Sequence, residues 1–169
     1  MEVEVAVRKR LLAIPALVGY TTAERVYKDR LEAVLDGTGH RAVVVARIGW
    51  WTSHPPGSRN TQEYPLVRLT YWADHDRNTS RQMTKANGRA NALAMHRVVD
   101  PVIHGIRQEW WGGPDDDPTA GLLVIGCTRW SEPIPTGDGA LATGRPRAGD
   151  GDSYEAEAIS VDYAIQTIH

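Results

Sequence analysis

The stretch from Ala158 to Ile168 alternates, from one residue to the next, between large apolar side chains and small or polar ones. A period of two predicts a β-strand with one face buried and the other turned toward water. The inward set would be Ile159, Val161, Tyr163 and Ile165, and the outward set Ser160, Asp162, Ala164 and Gln166. A strand with one buried face needs a sheet around it and a second layer packed against it, so this pattern constrains the fold more than any other.

Three further stretches predict strands. Ala42 to Trp51 is rich in Val and Ile and is typical of a buried strand. Leu66 to Ala73 alternates, with Val67, Leu69 and Tyr71 on one face and Arg68, Thr70 and Trp72 on the other. Gly121 to Trp130 is apolar, and alternation would place Leu123, Ile125 and Cys127 together.

Two stretches predict helices. Val3, Val7, Leu11 and Ile14 recur at helical spacing, and this first helix should end near Pro15. A long Ala-rich helix is predicted from Ser80 to Val99, ending at Asp100-Pro101. Its apolar stripe would consist of Met83, Ala86, Ala90, Leu93, Ala94 and either Arg97 or Val98. The segment from Glu24 to Leu35 fits either a short strand or a helical turn.

The predicted order of elements is a helix, strands, a long helix and further strands. This order is typical of an α+β fold with a largely antiparallel sheet. A chain of 169 residues is long enough for one domain, which we assign to residues 1–169. Residues 52–63 and 132–155 are rich in Gly and Pro and are predicted to be long loops.

Composition excludes several classes of function. A net charge of -2 gives no general attraction to nucleic acid or to an anionic membrane. Cys127 is the single cysteine, so the chain cannot form an internal disulfide. The sequence contains neither a signal peptide nor a long apolar run, which favours a protein that stays in the cytosol or in something assembled there.

Asp74-His75-Asp76 is the cluster most suggestive of a metal site. Consecutive residues of an extended chain point to opposite sides, however, whereas metal ligands usually return to one face. His54 or His96 could complete a site in three dimensions, and a polar turn before a helix is the alternative. Cys127 is predicted to be a buried, unreactive thiol, and Gly137, Gly139 and Gly144 lack the strand and helix that a phosphate-binding loop needs. We therefore predict neither catalysis nor a cofactor or metal.

The tryptophans suggest a surface for contacts with other proteins. Two adjacent pairs stand at the edges of loops, and in an extended chain one ring of each pair should face away from the core. The candidate interface residues are Trp50, Trp51, Arg59, Trp110, Trp111 and Trp130. The alternative is that the rings form a small satellite core beneath the loops.

The whole chain resembles the tail terminator proteins of long-tailed bacteriophages. The resemblance rests on the opening helix with "LLAIPALVG", which is followed by "ERVYKDRL". It also rests on "YPLVRLTYWAD" running directly into "SRQMTKANGRANALAMHRVVD". It continues through "LLVIGCTRW" and the closing "AISVDYAIQTIH".

This resemblance implies a structural role. Such proteins form hexameric rings on the head-proximal end of the tail tube, where they stop tube growth and dock the head-completion protein. The implied partners are further copies of the chain, the tail tube protein and the head-completion protein, and the implied location is the head-tail junction of a virion assembled in the host cytoplasm. DNA would pass through the ring without specific binding, with Asp115, Asp116, Asp117 and the polar face of the last strand turned to the lumen. Another head-tail neck protein and, less favoured, a small-ligand α+β enzyme are the alternatives.

Overall fold

The computed structural model describes residues 1–31, 41–53, 56–57, 62–73, 85–138 and 157–168. Within these ranges lie the α-helices α1 (Val3–Leu12), α2 (Pro15–Thr21) and α3 (Lys85–Ile103). The strands are β1 (Val26–Lys28), β2 (Arg41–Ser53), β3 (Gln62–Ala73), β4 (Glu109–Trp111), β5 (Leu122–Arg129), β6 (Ile134–Asp138) and β7 (Glu157–Ile168). The α+β class is confirmed.

All seven strands belong to one sheet with the order β1-β2-β3-β7-β5-β4. β6 pairs with β7 beyond the end of β5, so β5 and β6 follow each other along the same edge of β7. Among the described strands, β1 and β2 pair in parallel and every other pair is antiparallel. The prediction of a largely antiparallel sheet is therefore confirmed.

The three helices cover one face of this sheet and enclose the main core. The inward residues predicted on β3 and β7 are all buried in this core, as are Val43 and Val45 of β2. The helices contribute Val3, Val7, Leu11, Leu17, Ala92, Met95, Val99 and Ile103. Alternation therefore assigned the faces of β3 and β7 correctly.

The helices differ from the prediction in three respects. α1 ends at Leu12, near Pro15 as predicted, but Pro15 then begins a second helix, because a proline in the first turn has no need of the N–H group it lacks. α3 continues through Pro101 to Ile103. The predicted stripe is wrong at Ala90, which is exposed, but Leu93 packs against the core, as does Val98 of the two alternatives Arg97 and Val98. The buried residues include Ala92, Met95, His96, Val99 and Ile103. The side chains of Met83 and Ala86 lie outside the described residues.

The strands also differ from the prediction in places. β5 has a register shift between Val124 and Gly126, so Val124 and Cys127 share the buried face while Leu123 and Ile125 do not. Such a bulge adds one residue and reverses the alternation beyond it. β2 and β3 extend into the interval 52–63, and β6 lies inside the interval 132–155, so these parts of the two predicted loops are strands. Residues 54–55, 58–61 and 139–155 of the two intervals lie outside the described residues. The ambiguous segment contains the short strand β1.

Candidate functional site

The sheet face that the helices leave uncovered carries a charged pair at its centre. Arg68 Nε donates to Asp162 Oδ1 at 2.8 Å and Arg68 Nη2 donates to Asp162 Oδ2 at 3.0 Å. These two parallel hydrogen bonds hold the guanidinium flat against the carboxylate, and they raise the pKa of Arg68 above its ordinary value. The pair places one positive and one negative charge side by side, so this part of the face has little net charge.

Hydroxyl and amide groups continue this open face on both sides of the charged pair. The Ser160 hydroxyl lies 2.9 Å from Thr70 Oγ1 and 2.8 Å from Thr136 Oγ1, which links β3, β7 and β6. Gln166 Nε2 donates to the Tyr64 hydroxyl at 3.0 Å. Ser160 lies on the predicted outward side but is buried by these neighbours. The face is polar, yet its polar groups bond mainly to one another.

One end of the open face is apolar. Ala42, Val44, Trp72 and Ala158 form a second buried cluster, and Tyr27 and Leu31 pack against it. This cluster explains why Trp72 is buried although it lies on the face opposite to Leu69 and Tyr71.

A cleft of about 370 Å³ opens at the end of the sheet where β5 begins. It is lined by Met1, Glu2, Val3, Arg47, Trp50, Pro65, Leu122 and Thr167. Arg47 pairs with Val67 and Trp50 pairs with Pro65, and the register shift between Arg47 and Gly49 inserts Ile48 as an extra residue. Because of this bulge, Arg47 and Trp50 both reach the helix-covered side of the sheet. We call this feature the terminal cleft.

The predicted interface tryptophans fall into two groups. Trp50, Trp110 and Trp130 are 62%, 41% and 60% exposed, as a contact surface requires. Trp111 is only 1% exposed, so its assignment to an interface is wrong. The side chains of Trp51 and Arg59 lie outside the described residues.

Trp111 is part of the core because of its neighbours on α1 and β5. It pairs with Leu122, and its indole N–H donates to Glu109 Oε2 at 2.9 Å. Glu109 Oε1 lies 3.1 Å from Arg10 Nη2, so α1 is joined to β4 at this point. A buried indole N–H needs such an acceptor.

Asp115, Asp116 and Asp117 are exposed in the connection between β4 and β5. Asp117 Oδ1 accepts a hydrogen bond from Thr119 Oγ1 at 2.6 Å. The prediction that these residues face a lumen stays a prediction.

A polar cluster that the sequence did not reveal joins α3 to the sheet. Tyr163 OH donates to Asp100 Oδ1 at 2.9 Å, and Arg129 Nη1 donates to Asp100 Oδ2 at 3.1 Å. His96 Nδ1 lies 3.5 Å from Tyr163 OH, and the His96 ring meets the Tyr71 ring edge-on. His96 and Asp100 are four residues apart on α3, a spacing that places them on one side of the helix.

Burial determines the protonation of this cluster. It raises the pKa of Tyr71 and of Tyr163 and lowers the pKa of His96, because a charged form loses its hydration there. Burial also raises the pKa of Cys127 to about 12, which confirms a buried thiol that is not ionised at neutral pH. The Tyr163 phenol therefore keeps its proton and donates it to Asp100, whereas the buried Tyr71 hydroxyl has no hydrogen-bond partner among the described residues. Through Asp100 the cluster fastens α3 to β5 and β7.

The described part of the chain contains neither a cluster of metal ligands nor a membrane-spanning helix. Among the described residues no three His, Cys, Asp or Glu side chains are close enough to hold a metal ion. Asp74, His75, Asp76, His54, Gly139 and Gly144 lie outside the described residues, so the predictions about them stay predictions. No helix in the described ranges has both the length and the apolar character needed to cross a bilayer.

The chain is similar in fold to a chain of a known virion. Neither a protein-family model nor a curated protein matches the chain. A solved structure described as the virion of a native gene transfer agent (GTA) particle contains a chain with a similar fold. The match has a TM-score of 0.55 at 14% identity and covers 99% of this chain and 95% of the other. The two chains therefore share a fold over nearly their whole lengths.

Proposed function

We propose that this protein is a structural component of a phage-like virion. The observation that carries the proposal is the fold shared with a chain of the gene transfer agent virion, since it extends over almost all of both chains. A match of that extent is not a shared fragment of sheet. It includes both the helix-covered core and the open face.

Within such a particle we propose the role of tail terminator. The chain would form a hexameric ring on the head-proximal end of the tail tube, stop tube growth and present a docking surface for the head-completion protein. The order of elements in the sequence supports this role, as does the place of the long helix α3 as the next described element after the strand β3.

The open face of the sheet supports the passage of DNA through such a ring. A lumen that transmits DNA must not hold the phosphate backbone by unpaired cations. Arg68 lies on this face and is neutralised by Asp162. Asp115, Asp116 and Asp117 would repel phosphate if they line the same passage.

The polar cluster at Asp100 supports a structural role over an enzymatic one. A catalytic site needs titratable groups that converge on a pocket and are available to a substrate. The carboxylate of Asp100 already accepts hydrogen bonds from Tyr163 and Arg129. In the terminal cleft, Glu2 is engaged by Lys28.

Disrupting the gene and measuring tail length by electron microscopy tests the proposed role. A terminator predicts headless tails of excessive and variable length, because nothing stops tube growth. Tails of normal length that fail to join heads would instead assign the protein to another position in the neck. Normal infectious or transducing particles would contradict any structural role.

Replacing Asp115, Asp116 and Asp117 together tests the proposed lumen. Substitution by Arg should slow delivery of DNA, because cations would retain phosphate, whereas substitution by Asn should have a smaller effect. The measurement is the amount of DNA delivered per particle at matched particle number. Equal delivery by the Arg and Asn variants would remove these residues from the lumen.

A further inference from the structure

We propose that residues 130–134 of one copy insert into the terminal cleft of the next copy. This inference rests on the proposed ring and names the contact that would build it. Trp130 and Ile134 are 60% and 54% exposed, and the Glu132 side chain is 81% exposed. Ser131 and Pro133 between them are half-buried. Three large exposed side chains thus alternate with two half-buried ones along this short segment, which we call the corner segment.

The corner segment is held in place before any partner arrives. Trp130 N donates to Asp162 O at 2.7 Å, and Asp162 N donates to Ser131 Oγ at 3.0 Å. Ile134 pairs with Ser160 of β7. Because both ends of the segment are fixed to β7, little conformational entropy remains to be lost on binding.

The terminal cleft matches the corner segment in chemistry. Its apolar lining includes Val3, Trp50 and Leu122, which suits an indole and an isoleucine. Its cation is Arg47, whose side chain is 48% exposed and whose Nη2 lies 3.9 Å from Glu4 Oε1.

The corner segment carries the opposite charge. Glu132 Oε1 lies 3.6 Å from Arg129 Nη2. Both this ion pair and the pair that Arg47 makes with Glu4 are longer than a hydrogen bond. Arg47 of one copy and Glu132 of another can therefore form a closer pair without breaking a strong one.

The position of the two features requires a second copy. Leu122, which lines the cleft, begins β5, and Trp130 directly follows the last residue of β5. An eight-residue strand at about 3.3 Å per residue separates them by roughly 25 Å. A chain cannot place its own corner segment in its own cleft. Two different surfaces meeting in this way form a heterologous contact, which closes into a ring when the rotation between copies allows it.

Charge reversal tests the contact on purified protein. We expect Arg47→Glu or Glu132→Arg alone to raise the dissociation constant for self-association by about tenfold or more, because like charges would face each other. An equimolar mixture of the two single variants should assemble again, since every contact in an alternating ring joins opposite charges. The double variant should assemble by itself. The measurement is molecular mass against concentration by sedimentation equilibrium.

The mixture also reports on the number of subunits. An alternating ring closes only with an even number of copies, so recovery of a closed ring of wild-type mass agrees with a hexamer. Recovery of open or larger assemblies only would keep the contact but contradict an even-numbered ring.

Trp130→Ala and Tyr20→Ala form a matched pair, because both remove an exposed aromatic ring. We expect Trp130→Ala to weaken self-association by about tenfold or more. Tyr20→Ala should leave it near the wild-type value, because Tyr20 belongs neither to the corner segment nor to the lining of the terminal cleft. Equal effects, or single charge variants that assemble like the wild type, would overturn the inference. So would a wild-type chain that stays monomeric at the highest attainable concentration.

The outcomes separate this inference from the proposed function. Excessive tail length after gene disruption, together with self-association that ignores Arg47 and Glu132, would retain the terminator and reject this contact. Variants that self-associate normally but no longer join tails would show that the cleft receives a different protein, which also rejects the contact proposed here.

Discussion

Leu69 and Thr70 are neighbours on β3 but lie on opposite faces of the sheet, and they show how differently the two faces are built. Leu69 is fully buried beneath the helices, among the apolar side chains of the main core. Thr70 makes a hydroxyl contact with Ser160 on the face that the helices leave open. The covered face is held together by burial of apolar area, and the open face by short polar contacts between adjacent strands.

The two faces therefore contribute differently to the stability of the molecule. The covered face accounts for the fold, because any large change there leaves a void or a clash. The open face can change more freely, because its polar contacts join only neighbouring strands. The following predictions test that division, beginning with the largest expected effect.

Leu69→Ala should lower the free energy of unfolding by about 2–5 kcal/mol, because it leaves a cavity in a packed core. Thr70→Ala is the matched control on the same strand, and it should cost about 1 kcal/mol or less through loss of the contact with Ser160. Chemical denaturation of both variants provides the measurement. Similar losses for the two would mean that both faces carry the stability of the fold.

Gly88→Ala should destabilise the protein by about 1–3 kcal/mol, through overpacking between α3 and the sheet. A Cβ atom at this position would lie 2.9 Å from Glu157 Cβ and 3.2 Å from the carbonyl oxygen of Ala73. The same substitution elsewhere in a helix usually stabilises by about 0.5–1 kcal/mol.

Gly19→Ala in α2 is the control for that change, because a Cβ there would meet no atom within 4 Å. It should stabilise the protein slightly, so the two glycines should give effects of opposite sign in the same denaturation experiment. A stabilising effect at Gly88 would show that α3 can move away from β7 at little cost.

The free energy of unfolding should fall as the pH decreases below about 6.5, the ordinary pKa of a histidine, because His96 is buried on the covered face. Burial lowers the pKa of His96 in the folded state, so the unfolded chain takes up the proton first as the pH falls. The folded state therefore loses stability between the pKa of His96 in the unfolded chain and its lower pKa in the folded one. This single group contributes at most about 1.4 kcal/mol per pH unit.

The His96 ring lies against the Tyr71 ring and near the Tyr163 hydroxyl, which donates to Asp100 one helical turn further along α3. His96→Gln keeps a polar side chain but cannot titrate, so it should flatten the dependence of unfolding free energy on pH in this window. An unchanged slope would assign the effect to other groups.

Arg68→Met should have the smallest effect, about 1 kcal/mol or less, because the Arg68 side chain is 42% exposed and its ion pair is screened by solvent. The difference from the wild type should shrink further at high salt. Denaturation at two salt concentrations measures both. A loss of several kcal/mol would show that this pair stabilises the fold and is not only a surface feature.

Periodicity predicted the parts of the fold in which one rule acts without interruption. The alternation of β7 held along the strand because β3 pairs along most of it and β5 and β6 pair along its other edge. β5 could not be predicted in the same way, because the bulge between Val124 and Gly126 depends on how it meets β7 rather than on its own residues. A local pattern carries no information about such a long-range adjustment.

The end of α3 shows a second limit of the sequence. Asp100-Pro101 indicates a helix end, but α3 continues to Ile103. The contacts of Asp100 with Tyr163 and Arg129 hold this last turn against the sheet and offset the missing N–H of Pro101. Both partners are distant in the chain.

The candidate site was predicted less completely than the fold. The sequence identified exposed rings at Trp50 and Trp130 but could not decide which ring of Trp110-Trp111 would be buried. Two adjacent tryptophans fit either register of a strand equally well. The terminal cleft was not foreseen, because it combines the start of the chain with residues from four strands.

The position of β7 between β3 and β5 has a consequence for how the chain matures during synthesis. The β2–β3 and β4–β5 pairs emerge from the ribosome earlier but do not pair with each other, because β7 lies between them. Their union waits for the last strand, and such long-range pairing slows folding. The corner segment is also bonded to β7 at both of its ends. A nascent chain therefore cannot fix this segment in place before β7 has been synthesised.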